Sequence, residues 1–306
     1  MKLASKSQFT PVLEQIGQVV VAKEQQAKLA IACLLTGGHV LIDDIPGVGK
    51  TTLSHALAKS FGLRYNRVQF TSDLLPADIT GVSVFDPSQQ QFSFHPGAIF
   101  TQVLLADEIN RASAKTQSAL LEAMEERQVT VDGETHPLPS PFMVIATQNP
   151  LEQYGSNPLP ESQLDRFDVR IVLGYPSPEV ERRLWRGENG RHRLDELEPL
   201  LDETVLQSLR QQIDEVFVSD ALLDYLETIV QHTRNSGRYI NGLSPRASLT
   251  LLKVARAWAL INGNDFATPQ DMQTVLPYVA VHRLRSTTSG RGIADIENDL
   301  GGIRIP

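Results

Sequence analysis

The stretch LIDDIPGVGKTT (residues 41–52) determines how the rest of this sequence is interpreted. Its second half fits the end of the phosphate-binding pattern G-x-x-x-x-G-K-[ST], because Gly49, Lys50 and Thr51 follow one another in that order. Asp44 stands where the pattern has its first glycine, and a carboxylate beside a polyphosphate is electrostatically unfavourable. The stretch is therefore a working nucleotide site, a degraded one or a chance match.

The composition is that of a soluble globular protein with room for about two domains. Of the 306 residues, 41% are hydrophobic and 21% charged, and the single cysteine, Cys33, cannot form an internal disulfide. No apolar run approaches the ~18 residues that a membrane helix needs, and MKLASKSQFT lacks the apolar stretch of a secretory signal. These features predict a cytoplasmic protein without a membrane span. The net charge of -8 argues against general nucleic-acid binding, which needs a basic surface.

Short apolar runs alternate with helical patterns over the first 175 residues, which is typical of a parallel α/β sheet. Five runs have strand character: Gly37–Ile42, Tyr65–Phe70, Gln102–Asp107, Phe142–Thr147 and Val169–Gly174. Between them we expect helices over Lys50–Phe61 and Ser113–Glu126. Hairpins are predicted over Val82–Gly97 and over Arg127–Leu138, the second with Asp132-Gly133 as its turn.

Strand patterns vanish after residue 175, so we place the α/β domain over residues 1–175 and an all-helical domain over residues 176–306. Ser219–Thr233 carries its aliphatic residues on one helical face. Ser244 and Thr268 each precede a proline, which is a signal for the start of a helix. The last twenty residues are rich in glycine and serine, and we expect a tail there rather than a core element.

The loop before Lys50 has the chemistry of a phosphate site. Gly47 and Gly49 let backbone amides approach phosphate oxygens, and the start of the following helix supplies positive potential. Lys50 would contact the β- and γ-phosphates, and the Thr51 hydroxyl would hold Mg²⁺. The alternative is a glycine-rich turn that only caps the helix, but a lysine at a helix N-terminus opposes the macrodipole unless an anion compensates it. The residues predicted to bind nucleotide here are Pro46, Gly47, Val48, Gly49, Lys50, Thr51 and Thr52.

Two acids, Asp107 and Glu108, end the apolar run VLLADE. Because burying charge without a partner is costly, such a pair indicates a functional site. We expect Asp107 to bind Mg²⁺ through water and Glu108 to orient or deprotonate an attacking water. The structural alternative is that Asp107 caps the following helix. Asn149 follows the next strand at the edge where α/β sheets bind ligands, although Asn149-Pro150 taken alone is equally typical of a turn.

Two arginines carry weaker signals. Arg166, in LPESQLDRFD, is equally consistent with an ion pair to Asp165 or Asp168. Arg246 occupies the second position of a predicted helix, where a cation opposes the macrodipole. That position points to an anionic partner for Arg246.

Together, the motifs resemble the MoxR family of AAA+ ATPases over residues 19–281. The matching stretches are DDIPGVGKT, LLADEINRASAKTQSALLEAMEERQVTVDG, ATQNPLEQYGSNPLPESQLDRFD and SPRAS. The resemblance implies an AAA+ P-loop αβα core with a five-stranded parallel sheet, followed by an all-helical lid. Val82–Gly97 would be the insert in helix 2, and Arg127–Leu138 the pre-sensor hairpin. The resemblance also implies ATP hydrolysis with Mg²⁺ and assembly into a homo-oligomer, typically a hexameric ring.

The resemblance assigns roles that local patterns leave open. These are Asn149 as sensor 1 beside Glu108, Arg166 as the arginine finger that reaches a neighbouring subunit, Arg246 as sensor 2 on the lid, and Arg111 as a second candidate for a contact in trans. The segment VVVAKEQQ corresponds to the one that packs around adenine, through Val20 and Val21. Relatives usually carry glycine where this chain has Ala22.

By the same resemblance, we expect an ATP-driven, chaperone-like factor that remodels or matures partner complexes, with cofactor or metal insertion among the roles of relatives. The partner would be a client or a von Willebrand factor A domain protein on a separate chain. The alternatives are a nucleic-acid motor of the helix-2-insert type and a nucleotide-binding scaffold without hydrolysis. Val82–Gly97 contains no Lys or Arg, which weighs against the motor. Lys50, Asp107, Glu108 and Asn149 are all present, which weighs against the scaffold.

Asp44 then has a structural interpretation. Gly47 and Gly49, which must approach phosphate closely, are both kept, and aspartate tolerates unusual backbone angles better than most residues. Similar loops in the MoxR family often have an acid there too. We predict that the Asp44 carboxylate points away from the phosphates, onto a nearby backbone amide or cation.

Overall fold

A five-stranded parallel sheet forms the centre of the molecule, as the sequence predicts. The computed structural model describes residues 6–149, 157–186, 193–287 and 292–305, so the motif residues 150–156 lie outside it. The strands are β1 (Val40–Asp43), β2 (Tyr65–Gln69), β3 (Gly81–Asp86), β4 (Gln91–Pro96), β5 (Val103–Asp107), β6 (Gln128–Val131), β7 (Glu134–Pro137), β8 (Met143–Gln148) and β9 (Val169–Ile171). The sheet order is β2-β5-β8-β1-β9, with every neighbouring pair parallel.

Helices cover both faces of this sheet and form the second half of the chain. They are α1 (Lys6–Val19), α2 (Glu24–Thr36), α3 (Lys50–Ser60), α4 (Pro76–Thr80), α5 (Ala114–Glu126), α6 (Glu161–Leu164), α7 (Pro178–Trp185), α8 (Glu203–Glu215), α9 (Asp220–Asn235), α10 (Pro245–Ile261), α11 (Pro269–Ala280) and α12 (Ile293–Leu300). A short 3₁₀ turn, Ile109–Arg111, follows β5. The predicted αβα core with a following helical part is thus confirmed.

The central strands are apolar throughout because both of their faces are covered. On β5, Val103 and Leu105 join one hydrophobic cluster with α1, α2, α3 and the later helices. Leu104 and Ala106, which alternate with them, join a second cluster with α4 and α5. The predicted start of β1 at Gly37 is wrong, because Gly37 ends α2 in a left-handed conformation (φ 72°) and the strand begins at Val40.

Two of the later helices begin at the side-chain caps that the sequence indicates. Ser244 and Thr268 each accept a hydrogen bond from a backbone amide of the first helical turn, as predicted. Ser219, for which no cap is predicted, does the same for α9. Buried side chains of α10 and α11 belong to the same cluster as α2, so this helical part packs directly onto the core.

The expectation of a tail over the last twenty residues is wrong. α12 lies there, and Ile296 and Leu300 on this helix are buried at 5% and 0% exposure. Ile293, Ile296 and Leu300 have the spacing of one helical face, but the flanking glycines and serines dominate the composition. Residues 288–291 of this stretch lie outside the described ranges.

Both predicted hairpins are present. β3 and β4 pair antiparallel, and the Asp86 carboxylate accepts the Ser88 amide (2.8 Å) in the turn. β6 and β7 pair through Asp132-Gly133, whose φ angles of 50° and 86° suit a tight hairpin turn. Among the described residues, no helix is long and apolar enough to cross a membrane.

Candidate active site

The phosphate-loop sequence forms a strand–loop–helix unit between β1 and α3. Gly47 and Gly49 have φ angles of 87° and 99°, which only glycine adopts without strain. A Cβ atom built on either glycine meets no atom of the described residues within 4 Å, so this side of the loop is open. Lys50 begins α3, is 8% exposed and donates from Nζ to the Asp44 carbonyl oxygen (2.6 Å).

Asp44 behaves as predicted. Its side chain accepts three backbone amides: Oδ1 from Ile45 (2.8 Å), and Oδ2 from Leu173 and Gly174 (2.6 Å each). The residue is 4% exposed, so these bonds replace the water that a buried carboxylate loses. Asp44 therefore ties the loop to the segment that follows β9.

Asp107 lies at the carboxyl end of β5 with both carboxylate oxygens engaged. Oδ1 accepts the Thr147 hydroxyl (2.6 Å), and Oδ2 accepts Nη2 (2.6 Å) and Nε (3.2 Å) of Arg67. Asp107 does not cap a helix through its side chain, because Ser113 is the N-cap residue of α5.

Glu108 follows in the left-handed conformation (φ 55°, ψ 48°), an arrangement that costs about 1–2 kcal/mol for a non-glycine residue and often marks a functional site. The Thr147 hydroxyl accepts its backbone amide (2.8 Å). The carboxylate oxygen Oε2 accepts Gln69 Nε2 (2.8 Å) and Arg111 Nη1 (3.0 Å). Glu108 is thus oriented from its backbone and its side chain, and Arg111 is an intramolecular partner.

Three polar side chains of this site could not be identified from the sequence: Arg67, Gln69 and Thr147. Arg67 and Gln69 lie on β2, where Gln69 pairs in register with Asp107. The available signal is that the run YNRVQF alternates, which places Arg67 and Gln69 on one face but identifies no partner for them. Thr147 is fully buried and follows a continuous apolar run, so the sequence presents it as an ordinary core residue.

Strand order brings the predicted residues of three segments to one edge of the sheet. β8 lies between β1 and β5, and all three run parallel. Asn149, which is 6% exposed and engaged by a polar contact, directly follows β8. The loop with Lys50 and Thr51 follows β1, and Asp107 ends β5. Five predicted residues, Lys50, Thr51, Asp107, Glu108 and Asn149, therefore meet at the carboxyl edge.

The donor set at this edge fits Mg²⁺ with a polyphosphate. Mg²⁺ prefers oxygen ligands and is usually held by one or two carboxylates together with substrate phosphates. One carboxylate (Asp107) and one hydroxyl (Thr51) lie beside an open glycine loop. Within the described ranges, no group of three or more His, Cys, Asp or Glu side chains could form a metal site by itself.

The segment predicted to contact the base lies between α1 and α2. Val20 is buried and Val21 is partly exposed. Ala22 has φ 59°, in the left-handed region, which explains why a glycine suits this position. Lys23 donates to the carbonyl oxygens of Leu173 and Tyr175, so this segment and Asp44 contact the same stretch after β9.

Arg166 and Arg246 lie away from this edge. Both guanidinium groups contact Glu125 in the last turn of α5: Arg166 Nη1 at 3.1 Å from Oε2 and Arg246 Nη1 at 3.0 Å from Oε1. Glu125 is eleven positions after Ala114, the first residue of α5, or about 17 Å along the helix. The structure therefore divides the predicted site residues into two groups at opposite edges of the sheet.

The contacts of both arginines correct the interpretation of their sequence. Arg166 pairs with neither Asp165 nor Asp168; it contacts Glu125 and donates to the Leu121 carbonyl (2.6 Å). The Asp165 carboxylate instead accepts Arg283 Nε (2.6 Å). The anionic partner indicated for Arg246 is Glu125, on a different element.

His39, which directly precedes β1, is a buried hydrogen-bonding residue at the edge of the sheet opposite the phosphate loop. Its Nδ1 accepts the Val144 amide (2.9 Å), which leaves Nε2 as the donor to the Met124 carbonyl (3.3 Å). Burial holds the pKa of His39 well below 6.5, and the nearby Arg127 guanidinium adds to this effect. The pKa of His282, whose Nε2 donates to the Phe167 carbonyl (2.8 Å), is lowered well below 6.5 for the same main reason. Both imidazoles are thus neutral and serve as structural hydrogen-bond partners.

Comparison with known proteins identifies this class of fold and site. Residues 39–169 match the model of the ATPase family associated with various cellular activities, and residues 231–299 match its lid domain. The crystal structure of a protein from Cytophaga hutchinsonii, described as a candidate ATPase, superposes with a TM-score of 0.88 at 33% identity, over 98% of this chain and 96% of that one. The class is thus an AAA+ ATPase, for which nucleotide binding with a divalent metal is expected.

Two curated relatives narrow the class. The uncharacterized protein YeaC of Bacillus subtilis is 46% identical over 89% of this chain and 85% of its own length. Chaperone MoxR1 of Mycobacterium tuberculosis is 41% identical over 88% of this chain and 74% of its own length. The chain belongs to the MoxR family of AAA+ ATPases.

Proposed function

We propose that this protein hydrolyses ATP with Mg²⁺ at the carboxyl edge of its sheet. The observation that carries the proposal is the meeting, at that edge, of the open glycine loop, the buried Lys50 and the oriented pair Asp107-Glu108. A scaffold without chemistry would not need to hold Glu108 in a strained backbone conformation.

The phosphate loop would bind the phosphates, and residues of the loop and of β5 would bind the metal. The loop amides and Lys50 would bind the β- and γ-phosphates, with Pro46, Val48 and Thr52 completing the loop. Thr51 and, through water, Asp107 would hold Mg²⁺, which when bound neutralises charge on the phosphate oxygens. Val20 and Val21 would pack against the base.

Glu108 would orient the attacking water and accept its proton. Gln69 and Arg111 fix one carboxylate oxygen of Glu108, which leaves the other for the water. Asn149 would polarise the same water from the end of β8. The base and the amide would thus act on one water from two neighbouring strands.

We further propose that Arg166 and Arg246 serve the nucleotide of a neighbouring subunit. Arg246 lines a cleft with Gly37 and His39, which precede β1, whereas the phosphate loop follows β1. Because the arginines and the phosphate loop of one subunit lie at opposite edges of the sheet, a closed homo-oligomeric ring, typically hexameric in the family, would bring them together. Residues 1–175 would act as the core and 176–306 as the lid.

The activity would drive a chaperone-like remodelling or maturation of partner complexes in the cytoplasm. Support comes from Chaperone MoxR1, which is similar over most of both chains. The β3–β4 hairpin exposes Val84, Phe85 and Phe92 and carries no Lys or Arg, which suits a protein client better than nucleic acid. A von Willebrand factor A domain protein on a separate chain is the partner class that we expect, and metal or cofactor insertion is among the outcomes that we expect for the client.

Two hydrolysis experiments test this function. Glu108→Gln should bind ATP but lose hydrolysis by about 10²-fold or more, and hydrolysis that survives in the ATP-bound variant would remove Glu108 from its role as base. Glu126→Gln, an exposed change in the last turn of α5, is the matched control and should leave hydrolysis unchanged. Arg166→Ala mixed with Lys50→Ala should regain activity, and mixed rings without regain would count against action in trans.

Two further measurements address the partner. Salt-sensitive stimulation of hydrolysis by DNA would favour the motor instead. Capture of a defined partner complex by the ATP-bound Glu108→Gln protein, together with loss of that complex's maturation when Lys50→Ala replaces the wild type, would support the client role. Capture that does not depend on ATP would count against it.

A further inference from the structure

The Glu125 carboxylate joins Arg166 and Arg246 at the edge of the sheet opposite the phosphate loop. It gives one oxygen to each: Oε2 to Arg166 Nη1 (3.1 Å) and Oε1 to Arg246 Nη1 (3.0 Å). The arginines come from different parts of the chain, Arg166 from the segment before β9 and Arg246 from the first turn of α10. The carboxylate thus links the core to the helical part through two cations.

Ordinary surface stabilisation does not account for this arrangement. The side chains of Glu125, Arg166 and Arg246 are 40%, 29% and 45% exposed, and ion pairs with such exposure contribute little to folding. Two guanidinium groups this close repel each other unless an anion lies between them. The role of Glu125 is therefore to position the two arginines, because it keeps two like charges adjacent.

Each guanidinium keeps unused donors. In the described part of the chain, Arg166 makes its bonds to Glu125 and to the Leu121 carbonyl through Nη1, and Arg246 also uses Nη1. Among the described residues, Nη2 and Nε of both groups have no partner and are available for the two-point contact that an arginine makes with phosphate. Arg246 and Glu125 also line a cleft of about 520 Å³. Its three cations, Arg127, Arg246 and Lys253, outnumber its two carboxylates, Glu125 and Asp168, so an anionic group is favoured there.

We propose that Glu125 is a positioning residue that holds Arg166 and Arg246 as a pair, so that both address the phosphates of one nucleotide on a neighbouring subunit. This proposal rests on the proposed function, because it needs the arginines to act in trans. Glu125 touches no reacting atom; it acts through the two guanidinium groups. Its effect should therefore appear in the turnover of the neighbouring site and not in ATP binding by its own subunit.

The test compares Glu125→Gln with Glu122→Gln, an exposed change one turn earlier on α5. Glutamine replaces one carboxylate oxygen by an NH₂ donor and carries no charge, so one arginine loses its acceptor and the repulsion between the two is no longer offset. We expect kcat for ATP hydrolysis to fall by about 10–100-fold in Glu125→Gln, with KM for ATP changed less than about twofold. Glu122→Gln should match the wild type, and Glu125→Asp, which keeps the charge, should recover part of kcat.

Mixed rings separate positioning from a loss of fold. Glu125→Gln subunits mixed with Lys50→Ala subunits should regain turnover, because the Lys50→Ala subunits supply an intact arginine pair to the neighbouring site. If Glu125 only stabilised its own subunit, mixing would bring no gain.

The remaining outcomes overturn the proposal in distinguishable ways. Unchanged kcat in Glu125→Gln, with Arg166→Ala still rescued by Lys50→Ala, refutes the role of Glu125 and leaves the trans arginines standing. Increased kcat would mean that Glu125 restrains the arginines and does not position them. Failure of the Arg166→Ala rescue in mixed rings removes the proposed action of the arginines in trans, on which the role of Glu125 depends, and leaves ATP hydrolysis itself to the Glu108→Gln test.

Discussion

Replacing Asp44 by asparagine is a demanding test of how the phosphate loop is held. The carboxylate accepts the amides of Ile45, Leu173 and Gly174, while asparagine offers one carbonyl oxygen and one NH₂ group. If the oxygen turns towards Leu173 and Gly174, the NH₂ group faces the Ile45 amide. If it turns towards Ile45, the NH₂ group faces two amides. Either orientation leaves a buried donor opposite another donor.

The cost follows from these bonds. Losing one hydrogen bond to a charged acceptor costs about 1.5–3 kcal/mol, and the bonds that remain become neutral and weaken by roughly half. We therefore expect Asp44→Asn to lower the free energy of unfolding by about 3–4 kcal/mol. For a domain of this size, that loss lowers the melting temperature by roughly 10 °C.

Denaturant and thermal unfolding of Asp44→Asn, beside the exposed control Asp195→Asn, measure this difference. The Asp195 side chain is 89% exposed, so its substitution should change stability by less than about 0.5 kcal/mol. The same Asp44 variant should also bind ATP more weakly, because Lys50 donates to the Asp44 carbonyl and the loop moves with it. An Asp44→Asn protein as stable as the Asp195→Asn control would refute the account of Asp44 as the anchor of the loop.

Three further predictions concern backbone strain, a buried hydroxyl and pH. Ala22→Gly should stabilise the fold by about 1 kcal/mol, because φ is 59° at this residue. Gly49→Ala should destabilise the fold and weaken ATP binding, because φ is 99° there. Urea unfolding midpoints measure the changes in stability, and nucleotide titration measures ATP binding. Thr147→Val removes the hydroxyl that binds Asp107 and Glu108 and should lower kcat by at least about tenfold, while Thr147→Ser keeps it and should not. In the folded protein the pKa values of His39 and His282 lie well below 6.5. Below pH 6.5 these two histidines are therefore protonated in the unfolded chain but neutral in the folded one. The free energy of unfolding should therefore fall as the pH drops below 6.5, by up to about 2.7 kcal/mol per pH unit for the two histidines together. His39→Asn should remove about half of this pH dependence. An unchanged pH dependence in the variant would contradict the conclusion that His39 is buried and neutral.

Features encoded within a few neighbouring residues could be predicted from the sequence. The glycines of the phosphate loop, the serine and threonine caps and the Asp132-Gly133 turn all act through local backbone geometry. Continuous apolar runs likewise predicted β5 and β8, because strands covered on both faces have no polar side. The missed helix α12 shows the limit of this reasoning, since flanking composition obscured an apolar face of only three residues.

The partners within the site could not be predicted, because they depend on the register between distant strands. Gln69 and Asp107 are 38 residues apart in the chain, and the pairing of β2 with β5 brings them side by side. Thr147 reaches Asp107 in the same way across β8 and β5. Local patterns indicate that a side chain is polar or apolar, and they do not indicate which neighbour it meets.

Arg246 shows how a local anomaly can still point to such a partner. A cation in the first turn of a helix is unfavourable by itself, so its presence requires an anion from elsewhere in the structure. Glu125 is that anion within the subunit, yet the pair is too exposed to justify the arginine by stability alone. Since the same carboxylate also holds Arg166, the unfavourable position of Arg246 is best explained by its place beside a second guanidinium. A buried structural arginine such as Arg283 uses its donors on Asp165 and on the Phe167 and Asp168 carbonyls. Within the described ranges, Arg166 and Arg246 bond through Nη1 alone, so their other donors are available to an anion.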